Sequence, residues 1–594
     1  MPTVPLRYVF LLPPTTLYCK HDGMAPPGTA CERGMTDKRQ ALTKHLDPVN
    51  PHQDKSKPWE DPQQPSILPG AKGWSRYSNG KLFVDGATTS DIVQGKCGTC
   101  YFLAAAAALV DDVPGFMQSI FLTEESSKGN SVYGVRYFKR GLPVDVWVDG
   151  QFPILPNEDP QIAHSVKGEY WVMALEKSYA KLLGGYANIE GGRSTEALAH
   201  LTGCPTYFFR VNSLCNGRLW KRMHESTGKG LLKYLSKKVG LSEDDKDEIK
   251  VEKVVCASVH GDPLLRYFTC GAERYIRLFL KGLGKVIYKM FRCCRINCVI
   301  DLLVVAWHFI KRGIAWLFNC LNGVLCGIPG KVLGCFQCMY FCLCMTLVGL
   351  VPGHVWGIVD LRQVGCTKLV QLRNPWKQGE WKGAYGDKSC CWKIRPGLKK
   401  KLGVSDEDDG TFWMEWSDFL TYFDMVELVH YHPKLKHALR MEANITEKDS
   451  MFFIEVKNST TLVYVTAYKE YSYTNDVAIW KIRLAEADTG ALIGNGLASS
   501  SDGTGQEYEH GCTVSTPGIQ LKPGKYAVIV SCNYIRTVPM KVTFAIHSNK
   551  IKNCSFDGVC DGTSIVEVVA ADPSQKGDEI NLAPGPDGAG KPKE

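Results

Sequence analysis

Acidic side chains are nearly missing from one stretch of this 594-residue chain. Residues 266–350 hold eleven Lys/Arg and only two acids, Glu273 and Asp301. That local imbalance equals the net charge of +9, so the remainder is close to neutral. Basic charge confined in this way argues against a nucleic-acid partner and for one local basic surface. No secretory leader is expected either: the first 24 residues offer only YVFLL, soon broken by Pro13 and Pro14. The 24 cysteines are therefore expected as reduced thiols in the cytoplasm, not as a disulfide framework. Cys335-x2-Cys338 has no second pair at ligand spacing and no close histidine, which speaks against zinc. DEDDGT (406–411) does not have the spacing of an EF-hand loop, and no internal repeat is visible.

What is present is the composition of a folded protein, 44% hydrophobic and 22% charged, long enough for two to four domains. Residues 1–58, rich in Pro, Lys and Asp, read as a flexible N-terminal segment. KLFVDGATTSDIVQG (81–95) reads as a short strand, a turn at Asp85-Gly86 and a loop. VYGVRYFKRG and VDVWVDGQFPI (144–154) alternate as a hairpin does, and EYWVMALEKSYAKLLG (169–184) puts Trp171, Leu175, Tyr179 and Leu182 on one helical face. VVCASVHG (254–261), HVWGIVDL (354–361) and KLVQLRNPW (368–376) read as strands. From 450 onward, short strands between Gly/Pro/Asn/Asp turns suggest an antiparallel β-sandwich over 433–550, followed by a disordered tail, 551–594.

Between 263 and 349 the character changes. RYIRLFLKGLGKVIYKMFR spaces its cations at three or four residues, the pattern of a basic helix lying on an acidic membrane or partner surface. Residues 332–351 then run twenty positions without a charge, long enough to span a bilayer. Three readings of this insert stand: a membrane-associating excursion, a buried apolar hairpin, or an incorrectly translated segment. Surface association, with palmitoylation of its cysteines, is the expectation carried forward.

One stretch carries chemistry. In QGKCGTCYFLAAAAAL (94–109) a glycine turn and Thr99, a fitting N-cap, lead into an alanine run, so Cys100 opens a helix. Backbone N–H groups and the helix dipole favour a thiolate there. Gln94 can add a side-chain donor to the Cys100 N–H for an oxyanion. His354 opens a strand and Asn374 lies twenty residues later on the next, so adjacent strands can join them. The order Cys, His, Asn suits thiol-protease chemistry. Cys97 reads as a small packing residue or as a disulfide partner for an oxidised Cys100.

PWEDPQQPSI, FVDGATTSDIVQG, CGTCYFLAAAAAL, VDVWVDG, EYWVMALEKSYAKLLGGY and GGRSTEAL, then LVPGHVWGI, LVQLRNPWKQGEWKGAYGD and DGTFWMEWSDFL, resemble in order the protease core of the calpains. LKPGKYAVIVSC and PMKVTFAIHS resemble the calpain sandwich. The resemblance implies an α+β, papain-like core of two subdomains, 59–210 and 211–432, followed by the sandwich, with no penta-EF-hand domain after it. It implies Cys100 as nucleophile, His354 as base, Asn374 as its orienter, Gln94 at the oxyanion hole and Trp376 covering the His–Asn pair. It implies two calcium ions as well, one at the Val84 and Gly86 carbonyls with Asp91 and Glu169, the other at Glu380, Asp387, Asp409 and the Glu407 carbonyl. Thr411 stands where the family usually has a further carboxylate, so the second site is expected to be weaker. Thr99 and Tyr101 replace the family's usual Asp and Trp beside the nucleophile. The function expected is a cytoplasmic, calcium-dependent cysteine endopeptidase acting on protein substrates, with an acidic membrane surface as a further partner. The rival is a catalytically silent, calpain-like binding protein; a constitutively active protease is a third reading.

Overall fold

The computed structural model describes residues 59–77, 81–122, 132–165, 167–211, 220, 252–259, 344–377, 379–432, 435, 438–445, 450–469, 480–499, 513–516, 518–532, 540–560 and 564–569. The N-terminal segment 1–58, the basic helix of the insert and Cys335-x2-Cys338 lie outside the described residues, as does the end of the tail from 570.

The first part of the chain packs around the helix Cys100–Asp112, buried from Cys100 through Leu109. Its alanines permit close approach: a Cβ on Gly357 of the strand His354–Val364 would lie 3.9 Å from the Ala104 carbonyl oxygen. Only about 10 Å³ of cavity remains between the two elements. The helix Trp171–Leu182 is buried on every side, not on one face. Its cations are tolerated because each is paired: Lys177 Nζ lies 2.5 Å from Asp149 Oδ1, and Lys181 Nζ lies 2.7 Å from Asp61. The hairpin forms as Val132–Lys139 against Leu142–Asp149, turning through Arg140 and Gly141, both at positive φ as a two-residue turn requires. Gln151–Ile154 then pairs with Gly73–Arg76. Residues 81–84 do not form the expected strand. The Lys81 and Leu82 carbonyls instead accept the N–H groups of Tyr170 and Trp171 at the start of the buried helix, and the Val84 N–H goes to Glu169. The helix Ser194–Thr202, quoted above only as a motif, ends on Gly203 at φ 63° with its N–H bonded to the Ala199 carbonyl.

The second part is a six-stranded antiparallel sheet in the order Thr206–Arg210, Met425–Tyr431, Glu252–Val259, His354–Val364, Thr367–Arg373 and Thr411–Glu415. Thr206–Arg210, counted above with the first subdomain, thus belongs to the second sheet, because its backbone partners are in 425–429. Of residues 344–351, the end of the uncharged run, four apolar side chains are buried, while Leu347 is exposed. Cys344, Val348, Leu350 and Val351 sit in one core with Trp356, Trp381, Phe419 and Phe423. Gly349 (φ 79°) makes this possible, since a Cβ there would lie 1.8 Å from the Glu380 carbonyl oxygen. Among the described residues, no helix is long and apolar enough to cross a membrane.

The C-terminal part contains two antiparallel sheets. One runs Thr513–Ser515, Thr461–Lys469, Met540–Ser548, Ala438–Ile445, Ser564–Val569; the other Leu492–Ser499, Trp480–Glu486, Gly524–Cys532, Ser450–Val456, Cys554–Cys560. Alternating residues of both, such as Met441, Val465 and Phe544 with Phe452, Ile482 and Val528, enclose a single core. The tail therefore begins later than expected: Cys554–Cys560 and Ser564–Val569 are edge strands of these sheets.

Candidate active site

The strand register decides where the histidine stands. Val259 pairs with His354 at the strand's first residue, and the neighbouring strand ends at Arg373, so Asn374 emerges beside His354. His354 Nε2 lies 2.8 Å from Asn374 Oδ1. The amide orientation follows from its other bonds. Asn374 Oδ1 also accepts the Trp376 backbone N–H at 3.1 Å, and Asn374 Nδ2 donates to the Gly379 carbonyl at 3.1 Å. An oxygen at that position obliges His354 Nε2 to carry the proton. Nδ1 is left with its lone pair and, among the described residues, with no hydrogen-bond partner, although buried. This is the tautomer a general base needs.

Cys100 sits at the first turn of its helix, where its own backbone N–H and those of Tyr101 and Val355 act on the sulfur. Val355 follows His354 directly, so nucleophile helix and histidine strand meet at this point. Burial nevertheless dominates: it pushes the thiol up to about 12 and holds the His354 imidazole down at about 3, against the opposing Asn374 bond. Desolvation thus opposes the thiolate that the helix start favours. Thr99 does not cap the helix either. Its hydroxyl turns away to a Glu176 carboxyl oxygen, leaving no side-chain cap bond. Cys97 is a packing residue, its buried thiol 3.8 Å from the Tyr186 carbonyl oxygen and pushed well above the usual range by burial.

Trp376 closes the site. Its ring centroid lies 4.0 Å from that of His354, and its Nε1–H donates to Gln94 Oε1 at 2.8 Å across 282 residues of chain. Gln94 Nε2 donates to the Cys97 carbonyl at 2.9 Å. Gln94, Cys100, His354, Asn374 and Trp376 are thus brought together and covered, Cys100 being 4% exposed and His354 1%. Arg373 supports the junction from the histidine side, donating to Thr89 Oγ1 at 2.6 Å and to Asp111.

The two acidic groups behave differently. Asp91 and Glu169 are fully buried and adjacent. Burial raises Glu169, with the Val84 N–H opposing, whereas Asp91 is held below the usual range because Lys167 and the Thr88 N–H outweigh its burial. Val84 meets Glu169 through its N–H, and Gly86 (φ 86°) follows in the same turn. At the second group, burial and the facing Glu380 push Asp387 up to about 8, with Asp409 and Asp406 adding to it. Glu380 accepts the backbone N–H groups of Asp409 and Gly410; Glu407 is exposed. Thr411 Oγ1 accepts from Arg373. Among the described residues no three His, Cys, Asp or Glu side chains form a ready metal cage.

Several participants were not legible beforehand. Glu176, fully buried beneath the nucleophile loop, accepts from Thr99 and from the Ala163 N–H at 2.8 Å, and burial raises it to about 7. Its signal is an acid within an otherwise apolar helix stripe. Arg373, next to Asn374, had no signal in its spacing, nor had the Val355 N–H.

The sequence pattern of the calpain family cysteine proteases matches residues 40–258 and 328–430. The chain is 24% identical to calpain-5 of Mus musculus over 415 residues, which is 65% of this chain and 50% of that one. It is 27% identical over 421 residues to the calpain-type cysteine protease ADL1 of Oryza sativa subsp. japonica, covering 69% of this chain and 14% of the relative. Against a calpain of Schistosoma mansoni it is 26% identical over 396 residues, 63% of this chain and 39% of the other. The matches thus span half or less of each of these relatives.

Proposed function

As the chain belongs to the calpain family of cysteine proteases, we propose that it is a cytoplasmic, calcium-dependent cysteine endopeptidase that cleaves exposed segments of protein substrates. The observation that carries this reading is the pairing of His354 Nε2 with Asn374 Oδ1, which leaves Nδ1 as an unpartnered buried base beside the Cys100 strand contact. His354 Nδ1 takes the Cys100 thiol proton as Sγ attacks the scissile carbonyl carbon. The Cys100 N–H and Gln94 Nε2 receive the oxyanion. Collapse of that intermediate breaks the C–N bond, His354 returns the proton to the leaving amine, and water hydrolyses the acyl-thioester. Trp376 keeps water from the His–Asn bond. We read the two halves as the papain-like subdomains and the C-terminal sheet pair as the calpain β-sandwich.

Calcium fits the donor chemistry, because both acidic groups are oxygen-only and the Asp387 group is surrounded by like charge. Asp91 and Glu169 with the Val84 and Gly86 carbonyls would hold one ion, and Glu380, Asp387 and Asp409 with the Glu407 carbonyl the other. A bound ion supplies the positive charge that lets these carboxylates lie together and so fixes the loops beneath the site. Thr411, engaged by Arg373, adds no carboxylate, and a weaker second site is expected. Calorimetric titration showing two equally tight calcium sites overturns that expectation.

The burial that opposes charge on Cys100 and His354 suits a catalytically silent relative as well. An epoxide thiol probe separates the two readings. Labelling of Cys100 that rises with calcium, and loss of casein cleavage in Cys100→Ser, support the protease. No labelling with or without calcium overturns it.

A further inference from the structure

Six cations and no acid occur in KSCCWKIRPGLKKK, residues 388–401. The structure turns this stretch into two short helices, Cys390–Ile394 and Pro396–Leu402, joined at a bend. Lys393, Ile394, Arg395, Pro396 and Gly397 are exposed in succession, so the bend projects as a knuckle. Ile394 at its tip is 79% exposed, the most exposed large apolar side chain among the described residues. Beneath the knuckle is a cleft of about 440 Å³, into which Lys388, Lys393, Lys399 and Lys400 converge over Trp392 and Val404. Asp387 and Asp406 line it too, and Asp406 engages Lys399 at 2.6 Å.

We propose that this knuckle and cleft form a docking surface for an anionic lipid bilayer, with lipid headgroup phosphates received by the lysines and Ile394 entering the acyl boundary. The charge excess suits an anionic surface of either lipid or protein. The apolar tip held between Lys393 and Arg395 favours lipid, because a side chain flanked by cations gains nothing from an acidic peptide but gains an apolar environment from a membrane. The stems of the flanking cations can lie along the same boundary with their charges at headgroup level. The surface lies outside the basic insert in sequence, and it rests on no step of the proteolytic reading.

The test is co-sedimentation of the full chain with phosphatidylcholine vesicles, with and without phosphatidylserine. The chain is expected to bind only the anionic vesicles, and more weakly as salt rises. Each cation removed costs on the order of fivefold, so Lys393→Gln, Arg395→Gln and Lys400→Gln together should weaken binding by about a hundredfold. Ile394→Ser should lose about tenfold through the apolar contact alone. All four positions are exposed and outside the catalytic residues, so thermal melting and casein cleavage should be unchanged and serve as folding controls. Wild-type chain that ignores anionic vesicles, or a triple variant that binds as the wild type does, overturns the proposal. Binding abolished by a poly-glutamate competitor but indifferent to Ile394→Ser also overturns it, in favour of an acidic protein partner.

Discussion

Glu176 shows how far one buried carboxyl can bias a catalytic loop. It holds the Thr99 hydroxyl on one oxygen and the Ala163 N–H on the other, directly under the turn that presents Cys100. Burial raises its carboxyl from 4.5 to about 7. The folded protein therefore binds a proton between those values that the unfolded chain does not, and its contribution to stability is complete below pH 4.5 and lost as pH rises to 7. Over that window Glu176→Gln should gain about 3 kcal/mol relative to wild type, read by urea denaturation at a series of pH values. A pH-independent difference would show that the carboxyl does not titrate there. That Cys100, His354 and Asn374 lie in one site was legible from their types, order and neighbours. Glu176 was not, since a lone acid in a helix is usually solvated and only the packing reveals otherwise. Thr99 was misread for a related reason: its propensity as a cap is local, and a buried carboxylate oxygen is the stronger acceptor of its hydroxyl.

Among the elements, the helix Trp171–Leu182 depends most on its partners. Lys177 is fully buried, and burial lowers its ammonium to about 8 even with Asp149 beside it. Asp149→Ala strands that cation and should cost about 3–5 kcal/mol, whereas the double change Asp149→Leu with Lys177→Met should recover most of it. Equal losses in single and double variants would mean that the pair contributes nothing specific. The apolar stripe of this helix was readable in advance; the burial of its charged face was not, because the pairing residues Asp61 and Asp149 lie far away in sequence. The same holds for residues 81–84, which have strand-like composition but spend the Lys81 and Leu82 carbonyls on a helix start. The helices Cys390–Ile394 and Pro396–Leu402 carry too few turns for a periodic pattern to emerge.

The three parts of the molecule are joined at defined points. The hairpin turn of the first part reaches the C-terminal sheets, with Arg140 3.6 Å from Glu442 and Gly141 against Tyr468 and Arg440. His430 of the second part meets Tyr464 of the same sheet at 2.8 Å. One sheet therefore touches both halves of the site. Gly141→Ala would bring a Cβ within 2.9 Å of the Tyr468 ring at φ 72° and should lift the hairpin off that sheet. The expected result is a loss of about 2 kcal/mol or more, and calorimetric unfolding that separates into two transitions; a single unshifted transition would refute the coupling. Individual strands were legible from alternation, but their order was not, since Thr206–Arg210 finds its neighbour only at Met425–Tyr431. The bond between Gln94 and Trp376 spans 282 residues, and this has a consequence in time. At roughly 10 residues per second, the ribosome makes Gln94 about half a minute before Trp376 exists. On the proteolytic reading proposed above, the chain becomes able to cut only after its second half has been made.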